Sequence, residues 1–137
     1  LGINRVQEFL NKIEYGNQTT SSNLDLYWSD FSLKISPLEQ VTLLKKFNTN
    51  EFHLNSQNVF SVKNAIKIAS TPNGNFYGKT GTGRVNGQDI NGWFIGYVET
   101  SDNSYYFATN IQSDSNATGK KAFEITSDIL KKLHIWN

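Results

Sequence analysis

The chain has no cysteine and no methionine, and only two prolines and two histidines among its 137 residues. Without cysteine there is no disulfide, no thiolate ligand and no thiol nucleophile. The compartment stays open, because many exported bacterial proteins also lack cysteine. The two histidines, His53 and His134, stand far apart and neither has an HExxH-type context, so no zinc site is legible. A Ser-His-Asp triad would need one of them, and neither has a fitting neighbourhood. No run of about eighteen apolar residues occurs, which excludes a membrane-spanning helix in this segment, and no signal-peptide pattern is present. A surplus of one charge is missing too. Thirteen Lys and Arg against twelve Asp and Glu leave a net +1, with the signs interspersed, so neither nucleic acid nor an anionic membrane is expected as a partner. No metal and no cofactor is expected.

What is present suits one packed domain. Hydrophobic residues make up 37% and aromatic residues 13% of the chain, and a chain of this length buries roughly two-thirds of its unfolded surface. The chain opens on Leu1-Gly2 inside an apolar-periodic segment, which reads as a cut edge. Ile3, Val6, Phe9, Leu10 and Ile13 recur at helical spacing, and Tyr15-Gly16-Asn17 ends that helix in a turn. A polar loop over 17–25 and the aromatic pair Tyr27-Trp28 follow. Ser36-Pro37-Leu38-Glu39 has the form of a capping box with proline at the first helical position. It starts a helix to about Phe47, with Leu38, Val41, Leu44 and Phe47 inward. A further helix is expected from Ser56 to about Ala69, with Val59, Phe60, Val62, Ile66 and Ala69 as core. Thr71-Pro72-Asn73-Gly74 is a turn. Three meandering strands are expected at about 75–85, 90–99 and 105–111, the first two joined by the type I′ hairpin signal Asn86-Gly87. A closing helix runs from about 119 to 134, with Ala122, Ile125, Ile129, Leu130 and Leu133 inward. The fold class is therefore α+β, an antiparallel sheet packed by helices.

Chemistry gathers in one stretch, Phe76-Tyr77-Gly78-Lys79-Thr80-Gly81-Thr82-Gly83. The aromatic start favours a strand. The glycines permit close approach of another molecule to the backbone. Lys79 supplies a cation, Thr80 and Thr82 supply hydroxyls, and edge N–H groups supply donors, a set that suits an anionic ligand such as a carboxylate. A Gly-rich edge strand with a solvated lysine is the plainer alternative for this stretch taken alone.

The ordered set of motifs resembles the C-terminal part of class D serine β-lactamases and of the related β-lactam sensor domains of Gram-positive bacteria, penicillin-binding proteins of transpeptidase-like fold. It consists of Tyr15-Gly16-Asn17, Trp28 with Ser32-Leu33-Lys34-Ile35-Ser36-Pro37 after it, Lys79-Thr80-Gly81-Thr82, and the strand Asn91-Gly92-Trp93-Phe94-Ile95-Gly96-Tyr97-Val98-Glu99. The likeness covers essentially all 137 residues. It implies an extracellular or cell-surface location and β-lactam small molecules as ligands. Such proteins attack the lactam with a Ser-x-x-Lys serine whose lysine is usually carboxylated. No serine here has lysine three positions later, and no Ser-x-Val is present. The expectation is that residues 1–137 form the C-terminal portion of one domain whose catalytic N-terminal half lies upstream, that the segment alone is inactive, and that exposed apolar surface favours its dimerisation.

By the same resemblance, Lys79 tunes proton transfer and helps hold the substrate carboxylate, which Thr80 and Thr82 hydrogen-bond. The Thr82 N–H, next to Gly81 of the substrate-binding strip, is one of two oxyanion donors, the other being that of the absent serine. Trp28 packs over the carboxylated lysine, a loop-anchoring core aromatic being the plainer alternative; Tyr15 and Asn17 border the site, and Asn17 equally suits a cap for the turn after Gly16. Many class D enzymes place an arginine near the start of the last helix to grip the carboxylate. Ala122 is the match here, beside Lys120 and Lys121; either lysine, or the Thr82 hydroxyl in their stead, is the alternative for that contact. The hydrolase is the leading expectation, a sensor that is acylated without turnover the second, and a glycan-binding or structural module the third.

Overall fold

The computed structural model describes residues 2–20 and 32–137. The elements in chain order are α1 (Ile3–Lys12), α2 (Pro37–Asn48), α3 (Ser56–Ala65), β1 (Lys67–Thr71), β2 (Gly74–Val85), β3 (Gln88–Thr100), β4 (Ser104–Gln112) and α4 (Gly119–Lys132). The four strands form an antiparallel sheet in the order β1-β2-β3-β4. The α+β expectation holds.

Local chemistry accounts for the boundaries. Ser36 caps α2 by accepting the Glu39 N–H at 3.2 Å, and the Glu39 carboxylate accepts the Ser36 N–H at 2.8 Å. These paired bonds draw the Glu39 carboxyl below its usual pKa. Between β2 and β3, Asn86 and Gly87 take φ of 49° and 79°, as a type I′ turn demands.

One strand was not expected. The helix anticipated from Ser56 to Ala69 ends at Ala65, and Lys67–Thr71 turns back as β1 against β2. Ile66, Ile68 and Thr71 are β-branched, and pairing with β2 outweighs their weak helical preference. Several anticipated core residues also face out: Leu38 is 81% exposed, Phe60 58% and Val62 45%. In α4 the buried face is Gly119, Ala122, Thr126 and Leu130, whereas Ile125, Ile129 and Leu133 are exposed. Helical period alone cannot choose between two stripes, and here the stripe of smaller residues lets α4 lie close to the sheet. Thr126 joins it by sharing a 2.7 Å hydroxyl contact with Thr109 of β4 and donating to Ala122 O at 2.8 Å.

Each sheet face carries its own layer. Phe76, Phe94, Val98, Ala122 and Leu130 form the core under α4, with Phe107, Phe123 and Trp136 packed against it. Phe94 meets Phe76 edge-on at 6.1 Å and Phe123 at 5.0 Å between ring centroids, arrangements that add to the simple burial of area. On the other face Tyr77 stacks on Tyr97 at 4.6 Å and Tyr97 meets Tyr106 at 5.7 Å. Asn48 of α2 donates to Tyr106 Oη and to Glu99 Oε1, at 2.9 and 3.1 Å.

Candidate functional site

The Lys79 stretch forms the middle of β2, and three features of the sheet give it its setting. The first is the shortness of β1. Its pairing with β2 runs from Thr71↔Gly74 to Lys67↔Tyr77, and the Gly78 N–H then donates to Ile66 O at 2.8 Å. Backbone groups alternate sides along a strand. The N–H groups of Thr80 and Thr82 therefore point the same way as that of Gly78, but beyond the end of β1. Among the described strands none pairs with β2 on that side past Gly78, so β2 offers an open edge there.

The second feature is the division of side chains between faces. Lys79 lies on the face of Tyr77, and Thr80 and Thr82 lie on the face of Phe76, toward α4. Lys79, Thr80, Gly81 and Thr82 are all exposed. The Lys79 ammonium donates to Thr80 O at 2.6 Å, which folds the cation over the open edge. The third feature is the start of α4. Thr118 caps it by accepting the Lys121 N–H at 3.2 Å, and the Gly119 N–H donates to Thr82 Oγ1 at 2.9 Å. A cation, two hydroxyls, edge N–H donors and the positive end of a helix converge on one exposed strip.

The other anticipated residues are placed differently. Asn17 is a loop anchor: its N–H donates to Lys34 O at 2.9 Å, its Oδ1 accepts the Lys34 N–H at 2.9 Å, and its Nδ2 donates to Ser32 O at 2.8 Å. Gly16, at φ 49°, makes this possible, since a Cβ there would lie 1.9 Å from Lys34 O. Tyr15 Oη donates to Oε1 of the buried Gln40 at 3.2 Å. The Tyr15-Gly16-Asn17 turn thus fastens the chain that leads into α2. Trp28 lies outside the described residues.

At the start of α4, Ala122 is fully buried in the aromatic core and cannot touch a ligand. Lys120 is exposed and pairs with Glu124 at 3.9 Å along its own helix. Two shallow cavities, of about 600 and 460 Å³, lie at the far end of the sheet around Thr100 and Ser104. They share none of the Lys79 strip's residues.

Sequence reasoning missed Gly119 and its seat. A Cβ on Gly119 would meet Gly81 O at 2.6 Å and Thr80 Cβ at 2.9 Å, and one on Gly92 would meet Thr118 O at 2.4 Å. No local pattern announces the meeting of Gly119 with Thr82, 37 residues apart in the chain.

This arrangement belongs to a known class. Residues 1–131 match the penicillin binding protein transpeptidase domain, and the chain is a member of that family. Among individual proteins it is similar to the regulatory protein BlaR1 of Bacillus licheniformis, 46% identical over 136 residues, 99% of this chain and 22% of that protein. Among solved structures it is similar to the C-terminal domain of the Bacillus licheniformis BlaR penicillin-receptor, with a TM-score of 0.93 and 45% identity, covering 99% of this chain and 55% of that one. It is also similar to a class D β-lactamase from Bacillus subtilis, with a TM-score of 0.89 and 37% identity over 99% of this chain and 55% of that one. The chain therefore spans about half of these solved domains and under a quarter of the curated receptor.

Proposed function

We propose that the protein carrying this chain binds β-lactam antibiotics covalently at an extracellular face, with residues 1–137 as the C-terminal portion of the binding domain. The observation that carries this reading is the open β2 edge, where Lys79, the Thr80 and Thr82 hydroxyls and the Thr82 N–H converge beside the start of α4. In this reading a serine from elsewhere in the domain attacks the lactam carbonyl. The Thr82 N–H stabilises the oxyanion, and loss of such a donor costs about 10²–10³ in rate. Lys79 favours anionic forms of its neighbours and of the ligand carboxylate. Thr80 and Thr82 donate to that carboxylate. Gly81 keeps the strip bare so that the ligand can lie along the edge. Asn17 and Tyr15 contribute by fixing the chain ahead of α2.

Greater likeness to the receptor domain than to the class D enzyme supports a sensor that holds its acyl adduct. The high structural similarity to the enzyme keeps hydrolysis as the second reading. Intact-mass spectrometry of the complete gene product with benzylpenicillin separates them. An adduct that persists for hours supports the sensor. An adduct that vanishes as penicilloate accumulates supports the hydrolase, and no adduct in either regime sinks both. Lys79→Ala in the same protein is expected to lower the acylation rate by at least about 10²-fold, the scale of a lost preorganised electrostatic group, and near-normal acylation would refute its role.

A further inference from the structure

The contact between α4 and β2 carries more than packing. Thr82 Oγ1 accepts a hydrogen bond from the Gly119 N–H at 2.9 Å. A hydroxyl has one proton and two lone pairs. With the Gly119 proton facing one lone pair, the Thr82 proton must turn away from α4. Among the described residues that hydroxyl donates to no protein acceptor, and Thr82 is exposed. Its proton is thus aimed at whatever lies along the strip.

The contact also depends on glycine on both sides. Gly119 sits where a Cβ would be 2.6 Å from Gly81 O and 2.9 Å from Gly81 N, and Gly92 sits where one would be 2.4 Å from Thr118 O. The loop before α4 is held to β3 by the Ala117 N–H on Asp89 O at 2.8 Å and the Ser113 N–H on Ile90 O at 3.2 Å. The helix start is therefore fixed from two directions at the height of Thr82. Lys120 pairs with Glu124 along its own helix, and Ala122 is buried.

We infer that Gly119 is a positioning residue for carboxylate recognition: its N–H commits the Thr82 hydroxyl to donate, so that the first turn of α4 acts on the ligand through Thr82. This inference rests on the reading of Lys79–Thr82 as a β-lactam carboxylate cradle. It adds that selectivity for a ligand acid over its neutral ester is set by a backbone amide that never touches the ligand. The field at a helix start polarises that hydroxyl in the same sense.

The test compares acylation of the complete gene product by benzylpenicillin and by its methyl ester. Gly119→Ala is expected to lower the acid's rate by roughly tenfold or more relative to the ester's, the size of one hydrogen bond to a charged group. Thr82→Val should lose the same preference, Thr82→Ser should keep it, and the Gly119→Ala/Thr82→Val pair should lose no more than either alone. Equal loss toward acid and ester in Gly119→Ala would overturn the inference while leaving the β-lactam reading intact. Failure of the unaltered protein to take up either compound would bring down both. Should Gly119→Ala fail to fold, the amide proton of Gly119 in the unaltered protein serves instead. It should move downfield with benzylpenicillin and stay put with the ester, and equal behaviour with both would overturn the inference.

Discussion

Gly96→Ala should injure this protein far more than its added methyl group suggests. Gly96 lies opposite Gly78 in the centre of the sheet. A Cβ there would fall 2.0 Å from Tyr77 O, 2.7 Å from Phe107 Cζ and 2.8 Å from Gly78 Cα. Carbon atoms pack at about 3.5 Å, so of the two backbone obstacles Gly78 Cα would have to retreat by roughly 0.7 Å and Tyr77 O by more than about 1 Å. Strands stand only about 4.8 Å apart; such a retreat breaks the local ladder. Overpacking of this kind costs about 1–3 kcal/mol, and each weakened ladder bond adds about 1 kcal/mol. The total, about 2–4 kcal/mol, is a large part of a typical domain's stability of about 5–15 kcal/mol. In urea unfolding this moves the midpoint down by roughly 1–2 M for an m-value near 2 kcal/mol/M. Gly81→Ala is the control. A Cβ there would meet only Trp93 Cβ at 3.7 Å, an ordinary contact, and its midpoint should stay within about 0.5 M of the parent. A loss below about 1 kcal/mol for Gly96→Ala, or equal losses for both variants, would refute the steric reasoning.

Other outcomes are expected on the same grounds. Ser36→Ala should cost about 1 kcal/mol in thermal unfolding by removing the α2 cap. Because the Glu39 pKa is lowered in the folded protein, its contribution is full above the unfolded glutamate value of about 4.3 and is lost as pH falls through the lower folded value; Glu39→Gln should flatten that acid limb in pH-dependent unfolding. Tyr97 Oη is buried with no hydrogen-bond partner among the described residues, and burial holds its pKa well above the ordinary tyrosine range. Tyr97→Phe should therefore leave stability unchanged or raise it by up to about 2 kcal/mol, and a clear loss in denaturant would show that the hydroxyl has a partner.

Strong local signals in the sequence became structure. Ser36-Pro37-Leu38-Glu39 capped a helix, Asn86-Gly87 turned a hairpin, and the aromatic run from Trp93 to Val98 formed a central strand. The candidate strip was legible as a strand carrying a cation, hydroxyls and glycines, and the structure places Lys79 to Thr82 exposed on β2. On α4 the period set the inward stripe too wide: Ala122 and Leu130 are buried as expected, but Ile125, Ile129 and Leu133 face out and the buried Thr126 was not anticipated. The β1 strand hid behind α3 because Ile66 to Thr71 is too short to show a period, and only its pairing with β2 defines it. Gly119 was illegible for a related reason. Its meaning lies in Gly81, Thr82 and Gly92, which only the folded sheet brings beneath it.

That seat sets an order of events. It is built from two strands at once, Gly81 of β2 and Gly92 of β3, and exists only after they have paired in register. The β2–β3 hairpin closes locally, whereas the helix start must return across more than thirty residues to reach Thr82, a longer loop to close. Ordering of the Thr82 hydroxyl therefore depends on a contact more distant in sequence than those that join β2 to β3.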